Sequence, residues 1–156
     1  MLAVLLSPAA GAEEPALDLF AAPAAELSAE QKQLAEAVDL LGSGNRAQQK
    51  RGFRQAKLLA DGGLEAAQLK ISEAYFGGLG VPKDAAAAWG WYEKAAAQGS
   101  ARALHFLSLR YRYGCGAKKD LVKADDYLKR AKAYAKPEEL TAMETSAEGC
   151  GQFGKK

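Results

Sequence analysis

Residues that build β-sheets are scarce in this chain. Valine occurs only at positions 4, 38, 81 and 122, and isoleucine only at 71. Without runs of β-branched residues a strand-rich architecture is excluded. The 49% hydrophobic share is instead rich in alanine, the strongest helix former, so the chain is expected to be all-α. Histidine occurs once, as His105 in mid-helix, where a lone imidazole is structural or a surface contact rather than a catalyst. No C-x-x-C, H-E-x-x-H, Walker-type or G-x-S-x-G pattern is present. The glycine-rich "GGLG" at 77–80 lacks the spacing of a dinucleotide fingerprint. Asp125-Asp126 and Glu138-Glu139 are adjacent in sequence, so each pair points to different parts of a helix surface and cannot act together. These absences argue against an enzyme, a metal site and a bound cofactor. Outside the N-terminus no segment approaches the ~18 apolar residues of a spanning helix. Cysteine is limited to Cys115 and Cys150, each set between two glycines.

What is present suits one soluble domain of 156 residues. The opening "MLAVLLSPAAGA" combines an apolar run with an A-x-A site at Ala10–Ala12, so residues 1–12 are expected to be an export signal, truncated ahead of its basic n-region. Residues 13–25, with Pro15 and Pro23, are expected to be a linker. The net charge of +2 is unevenly spread. Residues 101–136 hold ten Lys or Arg against three Asp, a net of +7, while the flanking segments are mildly acidic.

The sequence repeats at an offset of 36. Ala67 meets Ala103, Ile71 meets Leu107, Tyr75 meets Tyr111, Gly78 and Gly80 meet Gly114 and Gly116, Asp84 meets Asp120, and Trp91 meets Tyr127. Each unit reads as helix–turn–helix. Ala67, Ile71 and Tyr75 lie one above another on a helix and form its buried stripe. Gly78 stops that helix in the left-handed conformation, Pro82 forbids its continuation, and Asp84 and Asp120 cap the second helices. The small residues at 67, 88, 95, 103, 124 and 131 permit close helix approach, and Tyr75, Trp91, Tyr111 and Tyr127 fill the gaps between them. A degenerate earlier copy puts Gly42-Ser-Gly44 in the Gly-x-Gly place and ends in Gly62-Gly63. A later partial copy, "KPEELTAMETSAEGCG", supplies a terminal helix.

The pattern A-x-x-x-[LI]-x-x-x-Y-x-x-G-x-G-V-x-x-D…A-x-x-W-Y-x-x-A-A-x-x-G resembles the Sel-one-like repeat (SLR), a relative of the tetratricopeptide repeat. Residues 65–100 match almost throughout. Residues 101–136 match with Ala117 in place of the Val, and residues 29–64 keep little beyond the glycines. The resemblance implies an α–α superhelix within residues 26–156: repeats at about 29–64, 65–100 and 101–136, and a cap at 137–148. Its first helices would line a concave face. Such proteins act as adaptors and scaffolds, and some small periplasmic members are immunity proteins that neutralise a secreted toxin such as a lipase. A domain accessory to an envelope enzyme is the lesser alternative.

In such a stack the C-terminal ends of successive first helices lie side by side. The two Gly-Cys-Gly turns then become neighbours, and a Cys115–Cys150 disulfide is expected, consistent with an exported bacterial protein of the periplasm or exterior. The tail must lean inward, because adjacent units sit ~8–10 Å apart and a disulfide needs Cα atoms within about 7 Å. The alternative is two free thiols. The partner implied is another protein with an acidic surface. Anionic lipid or glycan stays open, and nucleic acid suits the charge but not the compartment. Candidate contacts on the concave face are Lys70, Glu73 and Phe76 in one unit and His105, Leu109 and Arg112 in the next, although Phe76 and Leu109 also suit a core. Candidates at the basic turn are Arg110, Arg112, Tyr113, Lys118 and Lys119. A solvated cationic face is the plainer account of this cluster.

Overall fold

The computed structural model describes residues 27–144, with side chains to residue 140. The expected signal, the linker, the end of the cap and Cys150 lie outside the described residues. Within them are seven helices and no strand: α1 (Ala29–Gly42), α2 (Arg46–Asp61), α3 (Glu65–Gly77), α4 (Ala85–Ala97), α5 (Ala101–Tyr113), α6 (Leu121–Tyr134) and α7 (Pro137–Glu144). Helices α1 and α2, α3 and α4, and α5 and α6 pack as hairpins. Contacts of α2 with α3 and of α4 with α5 join the hairpins into one stack, and α7 lies against α5. The fold is the all-α solenoid that the repeat implies.

The helix ends follow from local chemistry. Asp84 accepts a hydrogen bond from the backbone N–H of Ala87 at 2.9 Å, and Asp120 from that of Lys123 at 3.0 Å. Each carboxylate satisfies a donor that a helix start leaves without a partner. Gly78 and Gly114 terminate α3 and α5 with φ of 72° and 75°, a region where a side chain is strained.

The first hairpin departs from the expected pattern. Gly42 and Gly44 do not take up positive φ, and α1 and α2 are joined by three residues where the later hairpins use seven. Side chains hold this shorter turn: Ser43 Oγ donates to the carbonyl of Leu40 at 2.8 Å, Gln49 Nε2 donates to that of Ser43 at 2.7 Å, and Asn45 caps α2. With the turn held in this way, no left-handed residue is needed.

The six small residues singled out above, Ala67, Ala88, Ala95, Ala103, Ala124 and Ala131, are all 0% exposed. They mark the lines along which helices meet. Helix α4 is buried on two sides: Trp91 joins the core shared with α2 and α3, while Trp89, Tyr92 and Ala96 join the core shared with α5. Rings carry the stack from unit to unit. Phe53 meets Tyr75 edge-on at 5.3 Å, Phe76 meets Trp89 at 5.1 Å, and Tyr92 meets Phe106 at 5.0 Å.

In the second and third hairpins the second glycine of the Gly-x-Gly seats the unit on the one before it. A Cβ on Gly80 would fall 2.3 Å from the backbone oxygen of Gln49 in α2, and one on Gly116 would fall 3.2 Å from the indole nitrogen of Trp89 in α4. Glycine here is a requirement of contact as well as of conformation.

Candidate partner-binding site

Three residues expected on the concave face are absorbed by the core. Phe76 and Leu109 belong to the cluster between the second and third units, and His105 is only 6% exposed. The cause is that α3 packs on α2 as well as on its own partner α4, and α5 on α4 as well as on its own partner α6, so a second stripe is covered. Lys70 and Glu73 remain part-exposed, but they satisfy each other through an ion pair of 2.7 Å.

The basic turn divides into two groups. Arg110 is a structural clamp, with a side chain only 15% exposed. Its guanidinium bonds Glu93 at 2.9 Å and lies 5.0 Å over the Trp89 ring and 5.6 Å over Tyr111. It ties α5 to α4 and is not displayed to a partner. Arg112 pairs with Asp125 of α6 at 2.7 Å, and Tyr113 is exposed at the end of α5. Lys118 and Lys119 are exposed and make no ion pair with the described residues. They line a cleft of about 380 Å³ together with Tyr111, Asp120 and Lys123. Tyr111 is held as its wall by stacking on Tyr127, at 5.7 Å and 3° between planes, and Lys123 Nζ lies 5.4 Å from the Tyr111 ring. Backbone geometry fixes the cleft, because Asp120 N–H donates to the carbonyl of Tyr111 at 2.9 Å.

Sequence reasoning placed the lysines here but did not find the exposed apolar pair beside them, Leu121 and Val122, or the clamp made by Arg110 on Trp89. The sequence signal for Leu121 and Val122 was available: Ala85 and Ala86 stand at the matching places of the preceding unit.

Cys115 is buried at the turn that ends α5; its expected partner, Cys150, lies outside the described residues. Burial also governs the titrating groups. The Tyr92 hydroxyl is pushed up by burial and then by the Glu73 carboxylate. Burial pushes the His105 imidazole below its usual 6.5, and neither ring nitrogen has a hydrogen-bond partner among the described residues. Among the described residues no group of three or more His, Cys, Asp or Glu is placed to hold a metal ion, and no helix is long and apolar enough to cross a membrane.

Stacked helical hairpins define a helical-repeat protein. More particularly, the chain carries Sel1-like repeats: the Sel1 repeat model matches residues 65–100 and 101–133, the second and third hairpins. Two solved structures are similar in fold. One is the Sel1 repeat protein from Oxalobacter formigenes, with a TM-score of 0.58 and 24% identity, covering 75% of this chain and 50% of that one. The other is a protective antigen present in uropathogenic Escherichia coli strains displaying an SLR fold, with a TM-score of 0.55 and 24% identity, covering 74% of this chain and 28% of that one. This chain thus spans half or less of either. No curated protein matches it. Sel1 repeats are generally protein-interaction modules and typically not catalytic.

The buried imidazole gives a prediction. The unfolded chain takes up a proton near pH 6.5 while the folded imidazole resists it. Stability therefore falls as pH drops below about 6.5. Leu69 holds the matching place in the second unit and is buried there. His105→Leu is expected to match the parent near pH 8 and to lose part of the decline in Tm between pH 7 and pH 5, measured by thermal unfolding at several pH values. Equal declines in the two proteins would show that His105 does not resist protonation.

Proposed function

We propose that the chain is a non-enzymatic adaptor of the bacterial periplasm or exterior, binding an acidic protein through the edge formed by residues 114–120 and the start of α6. The supporting observation is the distribution of charge. Residues 101–136 carry a net of +7, and Arg110 and Arg112 are engaged within the fold. Of the cations outside those two pairs, Lys118, Lys119 and Lys123 converge on a single cleft. A merely solvated face would spread such charges over convex surface; a concave cationic cleft instead attracts and orients an acidic partner.

A Cys115–Cys150 bridge belongs to this proposal. Cys115 is buried in the turn that follows α5, the helix against which α7 lies. The bridge would tie the segment around residue 150 to the third unit. In the chain-entropy model a loop of that length contributes ~3–4 kcal/mol. It also agrees with export, since such bonds persist outside the cytoplasm. An immunity role would be a special case of the same surface, with one tightly held secreted toxin in place of several weaker partners.

Affinity capture from an envelope extract tests the partner's chemistry. The parent chain is expected to retain at least one acidic protein that Lys118→Glu/Lys119→Glu/Lys123→Glu binds about tenfold more weakly or worse. Identical retained proteins for the two baits would contradict the proposal. The bridge is checked by intact mass. No alkylation is expected without reductant and two additions after reduction; two additions before reduction would rule it out.

A further inference from the structure

The second and third hairpins build the same turn and decorate it differently. Asp84 and Asp120 have φ, ψ of −147°, 97° and −148°, 100°, and both bond back to the tyrosine nine residues earlier, Tyr75 at 3.1 Å and Tyr111 at 2.9 Å. The second unit achieves this with Pro82, Lys83, Ala85, Ala86 and Ala87. The third places Lys118, Lys119, Leu121, Val122 and Lys123 at the same positions. The turn therefore does not require the extra lysines or the large apolar residues. Leu121 is 52% exposed and Val122 82%, so neither contributes much to the core. Three ammonium groups share the cleft with one carboxylate, that of Asp120, which is committed to capping α6. The surplus is two positive charges. A volume of about 380 Å³ is room for roughly a dozen waters, more than one side-chain carboxylate fills.

We propose that this cleft is the acid-recognition subsite of the adaptor, taking two neighbouring carboxylates from an acidic protein segment while Leu121 and Val122 receive an adjoining apolar side chain. The inference rests on the adaptor role and names the feature its partner presents. A projecting segment fits better than an anionic membrane. The cleft is concave, and Asp125 and Asp126 follow one turn beyond Leu121 and Val122, with side chains 71% and 65% exposed. A flat anionic surface seated on Val122 would meet those carboxylates; a narrow segment entering the cleft avoids them.

The test is a titration of the full ¹⁵N-labelled chain with acetyl-Leu-Glu-Glu-Leu-amide and with its Gln-Gln counterpart, followed by amide chemical shifts. The Glu peptide is expected to give saturable changes confined to residues 111–123. The Gln peptide, and the Glu peptide on Lys119→Gln/Lys123→Gln, should bind about tenfold more weakly, whereas Lys83→Gln should leave binding unchanged. The subsite is refuted by equal binding of the two peptides, by shifts scattered over basic residues elsewhere, or by no change at millimolar peptide. It is also refuted if phosphatidylglycerol vesicles bind the parent chain more tightly than the peptide and lose it with the same lysines. Failure here with intact charge-dependent capture of an acidic protein would leave the adaptor role standing and remove the subsite. Peptide binding without any captured protein would do the reverse.

Discussion

The close seating of one helical hairpin on the next is the constraint from which the rest of this molecule follows. A hairpin of 13-residue helices such as α3 and α4 cannot bury its apolar surface alone. It needs a neighbour at van der Waals distance, and alanine and glycine at the crossing lines permit that approach. Fully buried alanines mark these lines in every described hairpin, and Gly80 lets the second unit's turn rest on the backbone of α2. Once the spacing is set by small residues, large rings fill what remains. Phe76, Trp89, Tyr92 and Phe106 then form a continuous bridge from α3 to α5. Offset and edge-on pairs of this kind add to the burial of their area.

The same constraint separates structural charge from available charge. Where units meet, a cation is used internally: Arg110 lies over Trp89 and bonds Glu93 of the preceding unit. At turn positions that do not touch the preceding unit, such as Lys118 and Lys119, side chains can vary without disturbing the stack. The third unit uses that freedom to gather lysines and exposed apolar residues around a cleft whose backbone is a copy of its neighbour's. Repetition makes the difference visible, because each unit serves as a control for the next. Binding specificity in such a scaffold resides in decoration, while the repeat itself provides rigidity.

The architecture was legible because period and punctuation coincide. Glycines, capping aspartates and alanine stripes recur together at an offset of 36, and no strand pattern competes with them. The terminal regularity of α3 and α5 followed from Gly78 and Gly114. The first turn did not follow from Gly42 and Gly44, because Ser43, Asn45 and Gln49 provide a shorter, side-chain-bonded solution that glycine spacing does not reveal. The site was only partly legible. Periodicity assigns one buried stripe to a helix, whereas a solenoid helix is covered on two sides, so Phe76, His105 and Leu109 were placed on a face that a neighbouring helix covers. Arg110 was misjudged for a related reason: its partners, Trp89 and Glu93, belong to another unit. Lys118 and Lys119 were found because turn residues depend on local sequence alone.

Gly78 and Gly80 offer the most direct measurement of the central claim. Both have φ of +72°, so replacement by alanine imposes the same backbone strain at each, about 1–2 kcal/mol. A Cβ added at Gly80 would run into the backbone of Gln49 in the preceding unit, whereas the nearest atom to one added at Gly78 belongs to the flexible Lys83 side chain. If seating between units holds the fold together, denaturant unfolding will show Gly80→Ala to be less stable than Gly78→Ala by a further ~1–3 kcal/mol. Equal losses at the two positions would mean that the turns need glycine for conformation alone and that the units are not held by close contact.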